Sequence, residues 1–258
     1  MNGPALLVSV RDAREAFAAV TGGAGIVDIK DPTAGSLGMA APETLVDCGR
    51  IVPLGCLWTL AGGELREAEL AVERLAAVVP HCARLPAAVK FGLSEAVESD
   101  WPARLASVRS RLPEEIAVVP VAYADTASAA APPVPMVIEA AARNGCSLVL
   151  VDTFDKRSSR SLLTLATRPE LADWIREATR LGLGLVLAGK IPLEDIATVA
   201  GCRPLAVAVR SAVCVGGRLG RIDQRLVQTA VAACRTAGSG VTPAGGSTWF
   251  AEALSKGS

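Results

Sequence analysis

The sequence predicts an α/β protein built as a single (β/α)8 TIM barrel with a C-terminal extension, and three observations predict it. The chain has 258 residues, the usual size of one such barrel and long for a lone sandwich or bundle. Eight short Val/Ile/Leu/Ala runs alternate with amphipathic stretches, and their unbroken apolarity is what strands covered on both faces of a parallel sheet require. The stretches between them carry helix punctuation, with Pro42, Pro132 and Pro192 near first turns and Gly49, Gly145, Gly182, Gly201 and Gly238 after last turns.

Taken in order, strand 1 at residues 5–10 feeds a helix at 12–20, and strand 2 at 25–30 a helix at 42–49. Strand 3 at 54–59 precedes a helix at 64–79, where Leu65, Ala68, Leu70, Val72, Leu75 and Val79 recur at helical spacing. Strand 4 at 87–91 is followed by a helix at 94–112, strand 5 at 116–122 by one at 132–144, and strand 6 at 148–152 by one at 168–181. Strand 7 at 183–188 and its helix at 192–200, then strand 8 at 205–210 and its helix at 223–236, complete eight units. A doubly wound open sheet is disfavoured because the turn after strand 1, Val10-Arg11-Asp12, has no glycine. Residues 1–237 are thus one catalytic domain, and 238–258 a Gly/Ser-rich tail. In that tail Trp249 and Phe250 anchor on the surface or on a neighbouring subunit, or the tail is solvent-exposed; a homo-oligomer is expected.

Composition excludes several function classes. Hydrophobic residues are 51% and aromatic ones 3%, so the core is built from Ala, Val, Leu and Ile. The formal net charge is +0 with no long Lys/Arg run, which argues against a nucleic-acid partner. The longest apolar runs, 116–122 and 183–188, are too short to cross a bilayer, and residues 1–10 lack an export signal. A cytoplasmic protein with no membrane partner is expected. Seven cysteines lie scattered without a CxxC pair and read as buried thiols. The single histidine, His81, leaves no basis for a histidine metal site or a Ser-His-Asp triad, and no metal is expected.

The lysines carry the chemical signal. Of 26 basic residues only Lys30, Lys90, Lys156, Lys190 and Lys256 are lysine. Lys30 closes strand 2, Lys90 lies in strand 4, Lys156 follows strand 6 and Lys190 follows strand 7, so four of the five fall where a barrel builds its active site. An amine can lose its proton and attack a carbonyl, which a guanidinium cannot. Residues two apart on a strand share a face, so Asp28 and Lys30 point together, and alternate strands 2, 4 and 6 bring Asp28, Lys30, Lys90 and Asp152 into one cluster. Two readings stay open here: Schiff-base chemistry, or ion pairs of Lys30 and Lys90 with Asp28 and Asp152 that plug the barrel.

The loops after strands 7 and 8 are where barrels often hold a phosphate. Here they supply Gly189, Lys190, Arg210, Ser211, Gly216 and Gly217, glycines for close backbone approach and cations for charge. The segment Lys30-Asp31-Pro32-Thr33-Ala34-Gly35-Ser36-Leu37-Gly38 reads as a shaped loop over the mouth.

Several segments together resemble the (5-formylfuran-3-yl)methyl phosphate synthase family. They are Leu6-Leu7-Val8-Ser9, Asp28-Ile29-Lys30-Asp31-Pro32 through Gly35-Ser36-Leu37-Gly38, Val89-Lys90-Phe91-Gly92-Leu93, Tyr123-Ala124-Asp125, Asp152-Thr153 with Lys156, and Gly220-Arg221-Ile222-Asp223. The resemblance spans about residues 5–235. It implies a lyase that condenses two glyceraldehyde 3-phosphate molecules, with loss of one phosphate and of water, on the route to methanofuran-type C1 carriers. It implies no cofactor. It assigns the Schiff base to Lys30 and assisting roles to Asp28, Lys90, Asp152 and Lys156, while Ser9 and Asp125 join the substrate- and phosphate-binding set. Two departures stand out: Arg157-Ser158-Ser159-Arg160 replaces an expected Asp-Gly-Lys, and Lys190 replaces a smaller residue. The alternatives are a class I aldolase or phosphosugar isomerase on the same barrel, or a non-catalytic barrel that binds a phosphorylated metabolite.

Overall fold

A computed structural model describes residues 3–237. Eight parallel strands close into a barrel in sequence order: β1 (Ala5–Val10), β2 (Ile26–Ile29), β3 (Leu57–Glu64), β4 (Ala88–Gly92), β5 (Ala117–Tyr123), β6 (Leu148–Asp152), β7 (Gly184–Leu187) and β8 (Ala206–Val209). Closure is made by β8 on β1, from Ala5↔Ala206 to Val8↔Val209. The outer layer holds α1 (Ala13–Thr21), α2 (Pro42–Ile51), α3 (Ala68–Val78), α4 (Trp101–Ser110), the short α5 (Thr126–Ala129), α6 (Val134–Arg143), the short α7 (Leu162–Leu165), α8 (Arg168–Arg180), α9 (Ile196–Ala200) and α10 (Gln224–Thr236). After β8 the chain adds a hairpin, β9 (Cys214–Val215) with β10 (Arg221–Ile222).

The two-residue period of a strand sorts each run between two compartments. On β1, Leu6, Val8 and Val10 face the helices, while Leu7 packs inside the barrel. On β6, Val149 and Val151 face outward, and Leu148 and Leu150 face inward. Following the inward parity upward gives Ser9 after Leu7, Asp28 after Ile26, Lys90 after Ala88 and Asp152 after Leu150. The apolar interior therefore ends at the C-terminal mouth in a ring of polar groups, all of them buried. At the opposite end Leu148 and Leu205 pack over Gly184, where an added Cβ would come within 2.7 Å of both.

Two predicted elements move furthest. The third strand starts later and runs further than residues 54–59: Leu54 is 88% exposed and lies before a turn closed by the Cys56 amide on the Pro53 carbonyl (3.0 Å). The strand continues through Gly62 and Gly63, glycines that read as punctuation. Gly62 is required there for packing, because a Cβ would sit 2.6 Å from the Phe91 ring. The fourth helix begins at Trp101, not at 94, with Asp100 capping the Ala103 amide at 3.3 Å and Pro102 in the first turn. The helix expected at 132–144 is α6, preceded by the extra turn α5. The tail, with Trp249, Phe250 and Lys256, lies outside the described residues.

The cysteines are free thiols. Burial pushes Cys48 and Cys234 up to about 12, and Cys56 and Cys146 to about 11, which leaves them un-ionised and unreactive at neutral pH.

Candidate active site

The polar ring closes around a cavity of about 40 Å³ whose lining includes Ser9, Asp28, Lys30, Lys90, Asp152, Lys156, Gly189, Lys190, Arg210, Ser211 and Arg218. Six cations face two carboxylates. Such an excess of positive charge in a buried mouth favours an anionic ligand.

Asp28 is held from three sides. Ser9 Oγ donates to its Oδ2 at 3.0 Å, Thr59 Oγ1 donates to Oδ1 at 2.8 Å, and Lys90 forms a buried ion pair with the same Oδ1. Asp152 is held by Lys156, whose Nζ lies 2.6 Å from Oδ1, and by the Thr153 amide at 2.7 Å. Burial pushes the Asp152 carboxyl up, but Lys156 and Lys30 beside it pull harder and leave it below the usual carboxylate range.

Lys30 is different. It follows β2 directly and is buried, yet it enters no ion pair among the described residues; its Nζ reaches only the Ser36 carbonyl, at 3.5 Å. Burial dominates and lowers its pKa to about 7; Asp152 and Asp28 act to raise it, Lys156 and Arg218 to lower it. Of the two readings left open, the ion pair describes Lys90 with Asp28 and does not describe Lys30. At neutral pH a large share of Lys30 is the free amine, the form that attacks an aldehyde. Burial also lowers the pKa of Lys156, against the pull of Asp152.

The remaining expected residues divide. Gly189, Lys190 and Ser211 line the cavity. Gly189 has φ +112°, and an added Cβ there would come within 3.0 Å of Thr153 Cγ2; Lys190 itself has φ +51°. Gly216 and Gly217 do not line the cavity: they are exposed at the hairpin tip, at φ +88° and +74°. Asp125 also stands back from it, its carboxylate accepting the Phe154 amide (2.6 Å) and the Asp155 amide (2.9 Å), so that it fixes the loop carrying Lys156. Arg210 lines the cavity but spends its donors elsewhere. Nε reaches the Arg218 carbonyl, Nη1 the Ser9 carbonyl and Glu15 Oε2 (2.8 Å), and Nη2 the Gly220 carbonyl and Glu15 Oε1.

Three contributors were absent from the expected set. Thr59 ends the expected third strand and was not singled out; it shares inward parity with Leu57 and Ala61 and reaches Asp28. Ser36 comes from the loop after β2, and its Oγ also reaches the Thr153 carbonyl (3.3 Å). Arg218, one residue past the glycines chosen for phosphate, turns back over the mouth and donates through Nη2 to the Gly35 carbonyl (2.9 Å).

Comparison with known proteins follows the same lines. Phosphoribosyl anthranilate isomerase from Thermotoga maritima matches the fold with a TM-score of 0.63 at 16% identity, over 90% of this chain and 98% of that one. The isomerase from Thermus thermophilus matches at 0.59, also at 16% identity, over 89% and 97%; at such identities the likeness is one of fold. No helix among the described residues is long and apolar enough to cross a membrane. Proteins named (5-formylfuran-3-yl)methyl phosphate synthase align along nearly their whole length. That of Methanococcus maripaludis strain S2 is 30% identical over 89% of this chain and 99% of its own. That of Methanobrevibacter smithii is 33% identical over 88% and 95%, and that of Methanocaldococcus jannaschii 28% over 89% and 99%. The 4-HFC-P synthase family model matches residues 6–231, and this chain, an enzyme by that kinship, belongs to the 4-HFC-P synthase family.

Proposed function

We propose that the protein is a lyase that condenses two molecules of glyceraldehyde 3-phosphate through a Schiff base on Lys30, giving (5-formylfuran-3-yl)methyl phosphate with loss of one phosphate and of water. The observation that carries this reading is Lys30 itself: a buried amine with a pKa of about 7 and, among the described residues, no counter-ion within ion-pair distance, in a mouth rich in cations. Lys30 attacks the aldehyde carbon and, after loss of water, the iminium acidifies the neighbouring C–H. A base removes that proton and the enamine electrons expel phosphate, leaving an enol whose terminal carbon adds to C2 of the second triose phosphate once that molecule has isomerised to its ketose; ring closure with loss of two waters gives the furan, and hydrolysis of the imine releases the aldehyde and Lys30.

Asp152 and Lys156, in direct contact at 2.6 Å, are the pair through which protons move. Asp28, pinned by Ser9, Thr59 and Lys90, sets the field beside Lys30. Lys190, the Gly189 backbone and Ser211 take a substrate phosphate at the ends of β7 and β8. Only phosphate and water leave, so the conversion is redox-neutral and calls for no redox cofactor. The place of this chemistry is the cytoplasm, ahead of a methanofuran-type carrier.

The test is incubation with glyceraldehyde 3-phosphate alone, followed by mass analysis and ultraviolet absorbance. A furan aldehyde phosphate absorbs in the ultraviolet, and its mass equals two substrates less one phosphoric acid and two waters. A saturated aldol adduct, or an isomer of unchanged mass, would overturn the reading in favour of an aldolase or isomerase.

A further inference from the structure

The cavity is narrow, about 40 Å³, and the segment that roofs it sets how a phosphorylated substrate enters. The roof is the segment after β2, with Leu37 buried against the interior, and two hydrogen bonds hold it to the far side of the mouth. One is Arg218 Nη2 to the Gly35 carbonyl at 2.9 Å and the other Ser36 Oγ to the Thr153 carbonyl at 3.3 Å. Gly35 has φ +93° and nothing within 4 Å of where a Cβ would be, so the segment can pivot there at little steric cost.

Two arginines face the cavity, and their surroundings contrast. Arg210 is neutralised by Glu15 at 2.8 Å and has an acceptor for each donor group. Arg218 has no carboxylate within ion-pair distance among the described residues, and its hydrogen-bond acceptor is a neutral carbonyl. Its own carbonyl accepts from Arg210 Nε at 2.8 Å, which anchors the main chain while leaving the guanidinium free to reorient. A charged acceptor binds a guanidinium more strongly than a neutral carbonyl does, so an entering anion displaces Gly35.

We propose that Arg218 is the phosphate ligand that admits the substrate: its guanidinium exchanges the Gly35 carbonyl for the phosphate of an incoming phosphorylated aldehyde. The same exchange loosens the adjoining Ser36 carbonyl from the Lys30 amine. Phosphate capture and release of the nucleophile are then one event, because consecutive carbonyls of one segment hold the two cations. This coupling rests on the Schiff-base reading; the anion site does not.

The two are separated by two measurements on the full chain. Calorimetric titration with inorganic phosphate tests the site: R218M is expected to bind about ten- to a hundredfold more weakly than the parent. R218K, which keeps the charge without the fork, is expected to fall between, and it serves as the comparison if R218M fails to fold. Equal affinity in the parent and the variants, or no binding by the parent, overturns the site. Borohydride trapping with unphosphorylated glyceraldehyde tests the coupling: inorganic phosphate is expected to accelerate adduct formation on Lys30 in the parent, and R218M to react at the accelerated rate without it. Trapping that ignores phosphate overturns the coupling. No adduct with any aldehyde in the parent sinks the Schiff-base reading and the coupling with it, while the titration still decides the fate of Arg218.

Discussion

The two ends of the barrel interior are made from the same strands by the same alternation, and they differ in what the inward positions carry. At the floor Ile26, Ala88 and Leu148 fill the space with methyl groups. Two to four residues further along the same strands, Asp28, Lys30, Lys90 and Asp152 replace them without leaving the buried interior. The floor contributes dispersion and burial and owes nothing to its surroundings. Each mouth group has to be compensated by a partner or keep a shifted pKa. Asp28, Lys90, Asp152 and Lys156 take the first course, and Lys30 the second. Stability should therefore reside at the floor and reactivity at Lys30, the buried mouth amine left without an ion-pair partner among the described residues.

The sharpest way to break that comparison is Lys30→Arg. The charge stays and the amine is lost, so turnover of glyceraldehyde 3-phosphate is expected to fall by at least about a thousandfold, on the order of 4 kcal/mol in the barrier, with far-ultraviolet circular dichroism unchanged. Undiminished turnover in a folded variant would falsify the assignment of the nucleophile.

At the floor the converse is expected. Leu148→Ala removes a fully buried side chain that packs over Gly184 and should cost about 2–5 kcal/mol of stability, lowering the melting temperature by roughly 4–20 °C. Its kcat below the transition should match the parent. A floor variant that keeps its melting temperature but loses kcat would collapse the distinction between the two ends.

How much of this was legible in the sequence follows the same division. All eight strands can be read as apolar runs, because both faces are buried along most of their length. Among them the bounds of strand 3 moved furthest, since Gly62, which looks like a turn, lies within the strand to let Phe91 pass. The lysines could be found from strand ends alone. What could not be found is pairing across the fold. Nothing local distinguishes Arg210, matched to Glu15 195 residues away, from Arg218, whose acceptor Gly35 lies 183 residues away. Both sit in one arginine- and glycine-rich segment, and only the closed barrel decides which cation is neutralised. Asp125 likewise reads as a mouth carboxylate until the amides of Phe154 and Asp155 are seen to occupy it.

A smaller effect sharpens the contrast between Lys30 and its compensated neighbours. With a pKa of about 7, the free-amine share of Lys30 rises about tenfold between pH 6 and pH 8 and then levels. Borohydride trapping by glyceraldehyde 3-phosphate should follow that curve. A lysine of ordinary pKa would still be gaining rate beyond pH 9, and such a profile would remove the case for a pre-formed free amine.

The smallest expected effect is the one that joins reactivity to stability. Lys30 has a folded pKa depressed below its unfolded value of roughly 10.4, so the unfolded chain binds more protons between pH 7 and pH 10, and stability from this group rises across that window. Below pH 7 the folded state carries the whole cost of a buried, uncompensated amine. Lys30→Met removes the amine while keeping most of the bulk, and should raise stability at pH 6, an advantage that shrinks toward zero as pH approaches 10. Thermal melts of the parent and the variant at pH 6, 8 and 10 read it directly. A variant equally or less stable at pH 6 would mean that Lys30 is compensated after all, and that mouth and floor differ in composition without differing in strain.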